Sequence, residues 1–84
     1  IPDLTEERRK ELAKLANQYA EKARIAVRNV RRDGMETLKA AEKKGQINQD
    51  DQKRNEGEVQ KLTDKAVADI DIAAAAKEKE ILGK

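Results

Sequence analysis

Three arginines, Arg24, Arg28 and Arg31, recur at spacings of four and three in the stretch Ala-Arg-Ile-Ala-Val-Arg-Asn-Val-Arg-Arg-Asp, residues 23–33. On a helix, at about 100° per residue, they share an arc of roughly 60°. Arg32 flanks them on the same side. A guanidinium is planar, always charged, and able to hold a phosphate through two parallel hydrogen bonds. Four of them along a rigid rod, with Lys10, Lys14 and Lys39 on nearby azimuths, could lie along a nucleic-acid backbone. Ala23, Ala26 and Val30 point the other way, into an apolar stripe. One segment thus carries a packed face and an arginine face.

Other chemistries are poorly supplied. The chain has no serine, cysteine or histidine, which removes the usual nucleophile and base pairs, disulfides and nearly all structural zinc sites. No glycine-rich phosphate loop is present. Asp69 and Asp71 stand about 160° apart around a helix, so they do not form a paired carboxylate site. Asp50 and Asp51 invite a metal reading, but helix capping explains both. The expectation is no catalytic residue, no cofactor and no metal. Tyr19 is the one aromatic residue, which argues against stacking on single-stranded bases and for docking on the backbone of structured RNA or DNA. A solvated charged face is the alternative, since Glu21 and Glu42 share that side. On the residues alone both stand.

The bulk composition sets the scale. Of 84 residues, 43% are charged and 37% hydrophobic, and thirteen of the latter are alanine. Side chains large enough to build a core are few, and a single core of this size is marginal without a partner. Net charge is +2, yet residues 1–45 carry twelve Lys/Arg against eight Asp/Glu, and six of the seven arginines. No apolar run approaches the ~20 residues of a membrane span, and no signal-peptide pattern opens the chain. The expected class is soluble, all-helical and intracellular, with no membrane partner.

The elements that position the arginines follow from punctuation and period. Ile1-Pro2-Asp3-Leu4 is expected to be an extended lead-in, because proline disfavours helix before it. Thr5 is a partial N-cap, with Glu6 and Glu7 in the first turn. From Thr5 to Lys44 nothing stops a helix of about 60 Å. Leu12, Ala16, Tyr19, Ala23, Ala26, Val30, Gly34, Leu38 and Ala41 form its stripe. Gly34 on that stripe suggests a close helix–helix approach, with a kink as the alternative. Ile25 and Met35 lie off it, Met35 among the arginines. Lys43-Lys44-Gly45 reads as a C-terminal stop and Asn48 as the next N-cap. A second helix is expected over 49–82, with Val59, Leu62, Ala66, Ile70 and Ala73 as its stripe, widened by Val67 and Ala74. Gln52 and Asn55 on the same face suggest that its start projects beyond any core. The prediction is an αα-hairpin: lead-in 1–4, helix 5–44, turn 45–48, helix 49–82. Two helices leave much of each stripe wet, which implies a third from elsewhere in the chain, a second copy or a partner.

Pro-Asp-Leu-Thr-Glu-Glu-Arg-Arg-Lys-Glu-Leu (2–12), the arginine stretch (23–33) and Val-Gln-Lys-Leu-Thr-Asp-Lys (59–65) resemble three signature segments of the ribosome recycling factor family, in order and at its spacing. Lys-Glu-Lys-Glu-Ile-Leu (77–82) is similar to the family's C-terminus. The resemblance implies a translation factor of bacterial cytoplasm, or of an organellar matrix or stroma, shaped roughly like a transfer RNA. It implies a three-helix bundle with a β-rich domain inserted after the first helix. It also implies splitting of the post-termination ribosome together with elongation factor G. By motif, Arg28, Arg31 and Arg32 correspond to the family's contacts on large-subunit ribosomal RNA, with Arg31 the leading one and Arg24 adjacent. The family pattern would place the first helix and the β-rich domain ahead of Ile1, making these residues the last two bundle helices. Gly34-Met35 and Asn48 depart from common family residues without touching the arginines.

The expectation is therefore an all-α chain of two long antiparallel helices forming part of a three-helix bundle, docking on RNA through Arg24, Arg28, Arg31 and Arg32. The rival expectation is a structural module that self-associates through its stripes and has no RNA affinity.

Overall fold

Residues 5–83 are described by the computed structural model, and the expected lead-in over 1–4 lies outside them. Two helices account for nearly all of it: α1, Glu6–Lys43, and α2, Gln49–Leu82. They pack against each other along their length, giving a rod of 65 × 15 × 14 Å. Arg24 meets Asp71, Arg31 meets Gln60, and Gly34 faces Val59, so the helices are antiparallel.

Local chemistry sets the ends. Thr5 is extended, and its hydroxyl accepts from the Arg8 amide at 3.1 Å, satisfying one free donor of the first turn. At the other end Lys44 caps, and Gly45 takes φ +76°. The Gly45 amide then donates to the Glu42 carbonyl and the Gln46 amide to the Ala41 carbonyl, at 3.0 and 2.9 Å. That pair of reversed bonds closes the helix and requires a residue at ease in the left-handed region. Asn48 restarts the chain by accepting from the Asp51 amide at 2.8 Å. Asp51 also accepts from Arg54 at 2.6 Å, and it shares with Asp50 the first turn, where the helix dipole favours negative charge.

The packed arc differs from the expected one. Ala13 and Ala20 are the only buried residues among those described. Around them Leu12, Ala16, Ala23, Val27, Gly34, Leu38 and Ala41 are half-buried. Tyr19, Ala26 and Val30, expected in the packed stripe, are exposed, Val30 by 71%. On α2, Val59, Ala66, Val67, Ile70 and Ala74 are half-buried, whereas Leu62 is 69% exposed and Ala73 is also open. The cause is geometric. An apolar stripe wider than ~100° is more than one neighbouring helix covers. Small side chains on the seam permit the closest approach, so α1 presents its alanines to α2 and leaves Tyr19 and Val30 exposed.

Two further expectations are corrected. Gln52 and Asn55 do not project beyond the packed region; both are half-buried, because the tight turn holds the helices together there. Gly34 faces α2 without being squeezed by it. A methyl added there would meet Val59 Cγ1 at 3.8 Å and Cγ2 at 4.0 Å, which is ordinary contact. Met35 is half-buried and Ile25 is exposed. The chain exposes 6743 Å², against roughly 5,000 Å² for a compact monomer of its mass. A rod 65 Å long and 15 Å across carries more surface than a compact shape of the same mass.

Candidate nucleic-acid interface

An antiparallel helix pair has two flanks, and here they differ in chemistry. One is an open apolar groove of about 440 Å³ lined by Ala26, Val27, Val30, Gly34, Val59, Leu62 and Ala66, together with Arg31 and Thr63, which border both flanks. Tyr19 lines neither flank and is exposed, with the Lys22 ammonium 5.9 Å from the centre of its ring. The other flank is a polar cleft lined by Arg28, Arg31, Gln60, Thr63, Asp64, Val67, Ala68 and Asp71. Of the predicted arginines, Arg28 and Arg31 line this second flank, Arg24 meets its Asp71, and Arg32 is not among the lining residues, so the four are not equivalent.

Arg24 is tied to the protein's own carboxylates. Its Nε donates to Asp71 Oδ1 at 2.7 Å and its Nη1 to Glu21 Oε2 at 3.1 Å. Only 23% of its side chain is exposed, because the aliphatic stem lies over the helix seam. The hydrogen bond it donates to Asp71 and then that to Glu21 raise its pKa above the ordinary arginine value, more than offsetting desolvation. Its charge is met by carboxylates, which leaves it little to offer an external anion.

Arg31 is held differently. Its Nε donates to Gln60 Oε1 at 2.6 Å, and Gln60 Nε2 donates to Asp64 Oδ1 at 2.8 Å. The side chain is half-buried. Among the described residues this is its only side-chain hydrogen bond, and no carboxylate lies within ion-pair distance. The terminal Nη pair therefore keeps its donors and its full charge. Arg28 is 60% exposed, with a loose 3.8 Å approach to Glu21 Oε1, and Arg32 is similarly open, 3.9 Å from Asp33. Lys10, Lys14 and Lys39 are exposed.

The four predicted arginines thus fall into one tied residue, Arg24, one poised residue, Arg31, and two open ones, Arg28 and Arg32. The sequence does not mark Gln60, Asp64 or Asp71 as partners of the arginines. They belong to the other helix, and no motif on α1 points to them. The turn supplied a usable signal: a reversal at 45–48 pairs residues equidistant from it, which sets Gln60 near Arg31 and Asp71 near Arg24. No group of His, Cys, Asp and Glu able to hold a metal ion occurs among the described residues, and none of their helices is long and apolar enough to cross a membrane.

Fold and flank together define a helical-bundle protein whose first helix carries a cationic edge. Comparison with known proteins specifies which kind. The family model for ribosome recycling factor matches residues 1–82. The chain is 79% identical over 84 residues to the ribosome-recycling factor of Rhizorhabdus wittichii, and 73% identical over 84 residues to that of Zymomonas mobilis. In both cases all of this chain and 45% of the relative are covered. Against the Rhodopseudomonas palustris factor the identity is 63% over 82 residues, covering 98% of this chain and 44% of the relative. The chain belongs to the ribosome recycling factor family, whose members are translation factors and not enzymes. It spans somewhat less than half the length of the curated relatives it matches.

Proposed function

We propose that this hairpin docks a ribosome recycling factor on large-subunit ribosomal RNA through the cationic flank of α1. In this reading the factor acts in the cytoplasm and, with elongation factor G, splits the post-termination ribosome into subunits. The observation that carries the docking step is the state of Arg31: fixed at Nε by a neutral partner, with both Nη groups uncommitted. A guanidinium so held offers a phosphate two parallel donors at little further ordering cost. Arg28 and Arg32 extend the same positive line along a rod stiff enough to keep their spacing. The single aromatic, Tyr19, does not line the cleft of Arg28 and Arg31, in keeping with contacts to backbone in place of stacked bases. Membership of the family supports the same reading.

The test is charge reversal at Arg31, with the exposed Lys61 of α2 as the control. Arg31→Glu is expected to weaken binding to purified large ribosomal subunits by about ten-fold or more, whereas Lys61→Glu leaves it within about two-fold. Equal effects would refute the arginine face. Splitting of post-termination ribosomes by the full-length factor with elongation factor G and GTP should slow with the first reversal only.

A second reading rests on the apolar groove. With Tyr19, Val30 and Leu62 open to water, the chain is a structural module that self-associates to cover them and has no RNA affinity. It predicts a mass that rises with concentration and no binding to ribosomal particles at moderate salt.

A further inference from the structure

We propose that Gln60 is a positioning residue for Arg31: held by Asp64, it sets the guanidinium to present both Nη groups outward as a phosphate fork. The inference rests on the docking reading above and adds to it a second helix and a neutral group.

The relay has a defined direction. A glutamine amide can face either way, and its neighbours decide. Here Asp64 can only accept, so it takes the Nε2 donor at 2.8 Å and obliges the carbonyl to face Arg31, where Nε donates at 2.6 Å. Reversing the amide would set a carbonyl against a carboxylate and an NH2 against a guanidinium. Asp64 thus orients Gln60, and Gln60 orients Arg31.

The chemistry of the acceptor matters as much as its place. Arg24 shows what carboxylates do on this flank. Asp71 and Glu21 take both its Nε and its Nη1 and oppose its charge. A glutamine at the same depth removes one rotational freedom and one donor, yet leaves the full positive charge in the cleft. The negative charge of the relay stands one residue further back, on Asp64, which lies within ion-pair distance of no cation among the described residues. Arg24 is therefore a brace between the helices, and Arg31 is the ligand-facing member. Sequence spacing alone treats the two alike.

The experiment is a double-mutant cycle. Wild type, Gln60→Met, Arg31→Ala and the double variant are titrated against purified large ribosomal subunits over a KCl series. Methionine keeps the length and helix propensity of glutamine and lacks a strong acceptor. Helicity at 222 nm and the Arg31 and Arg24 Nε–H resonances are followed in parallel. Gln60→Met is expected to weaken binding about three- to ten-fold, the effect of having to order one long side chain on binding. The salt slope should hold, because no phosphate contact is lost. Arg31→Ala should weaken binding further and reduce the slope by about 0.9, the equivalent of one phosphate. The double variant should match Arg31→Ala, and the Arg31 Nε–H signal alone should lose its protection from exchange in Gln60→Met.

Equal losses from Gln60→Met in both backgrounds would overturn the proposal, because the residue would then act on the fold at large. Wild-type affinity for Gln60→Met beside a loss in Arg31→Ala would overturn it and leave the docking reading intact. Wild-type affinity for Arg31→Ala would overturn the docking reading and the positioning role together.

Discussion

Replacing Gly34 by alanine should stabilise this protein. Gly34 lies well inside α1, and glycine in a helix interior is about 1 kcal/mol less favourable than alanine. The added Cβ would find Val59 Cγ1 at 3.8 Å and Cγ2 at 4.0 Å, attractive contacts with no overlap. Partial burial of one methyl contributes a few tenths of a kcal/mol more, at about 25 cal/mol per Å². The sum is about 1–1.5 kcal/mol. For a chain of this length the entropy of unfolding near its midpoint is about 0.18 kcal/mol per degree, so Tm should rise by about 6–8 °C. Thermal melts followed at 222 nm, at two protein concentrations, measure this directly. The two concentrations separate folding of the hairpin from association. An unchanged or lowered Tm would refute the reasoning. It would mean that the space above Gly34 must stay empty for a backbone approach that the hairpin by itself does not contain.

Three other substitutions probe other parts of the argument. Gly45→Ala should destabilise by about 1–2 kcal/mol, because φ +76° is strained for any residue with a Cβ, and a lower Tm in the same melts checks it. Arg24→Ala should lower Tm only slightly in the same melts, because solvent screens its carboxylate pairs, while the salt slope of binding to large subunits stays at the wild-type value; a slope reduced as in Arg31→Ala would make Arg24 a phosphate ligand. Leu62→Gln should leave the melting of the dilute chain within about 0.5 kcal/mol of wild type, since the side chain it replaces is open to water. Light scattering on the same variant should show any concentration-dependent rise in mass abolished, and a rise that persists would place self-association away from the groove.

Much of this architecture was legible in the sequence. Thr5, Gly45 and Asn48 mark helix ends through their own backbone preferences and side-chain reach, which are local matters, and each does so here. The helical period likewise determined that Arg24, Arg28 and Arg31 share one side, and the three spaced motifs resembled the family to which the chain belongs. Period does not decide which arc of a wide stripe meets a neighbour. That depends on how closely two particular helices approach. Ala13 and Ala20 rather than Tyr19 and Val30 took the seam because small residues allow the closer contact. Nor does period say what faces a side chain from a second helix. Arg24 and Arg31 look alike on a helical wheel, but across the turn one meets the carboxylate of Asp71 and the other the amide of Gln60. One guanidinium is paired with carboxylates and the other keeps its Nη donors free, a difference that arises only when residues distant in the chain are brought within hydrogen-bond reach.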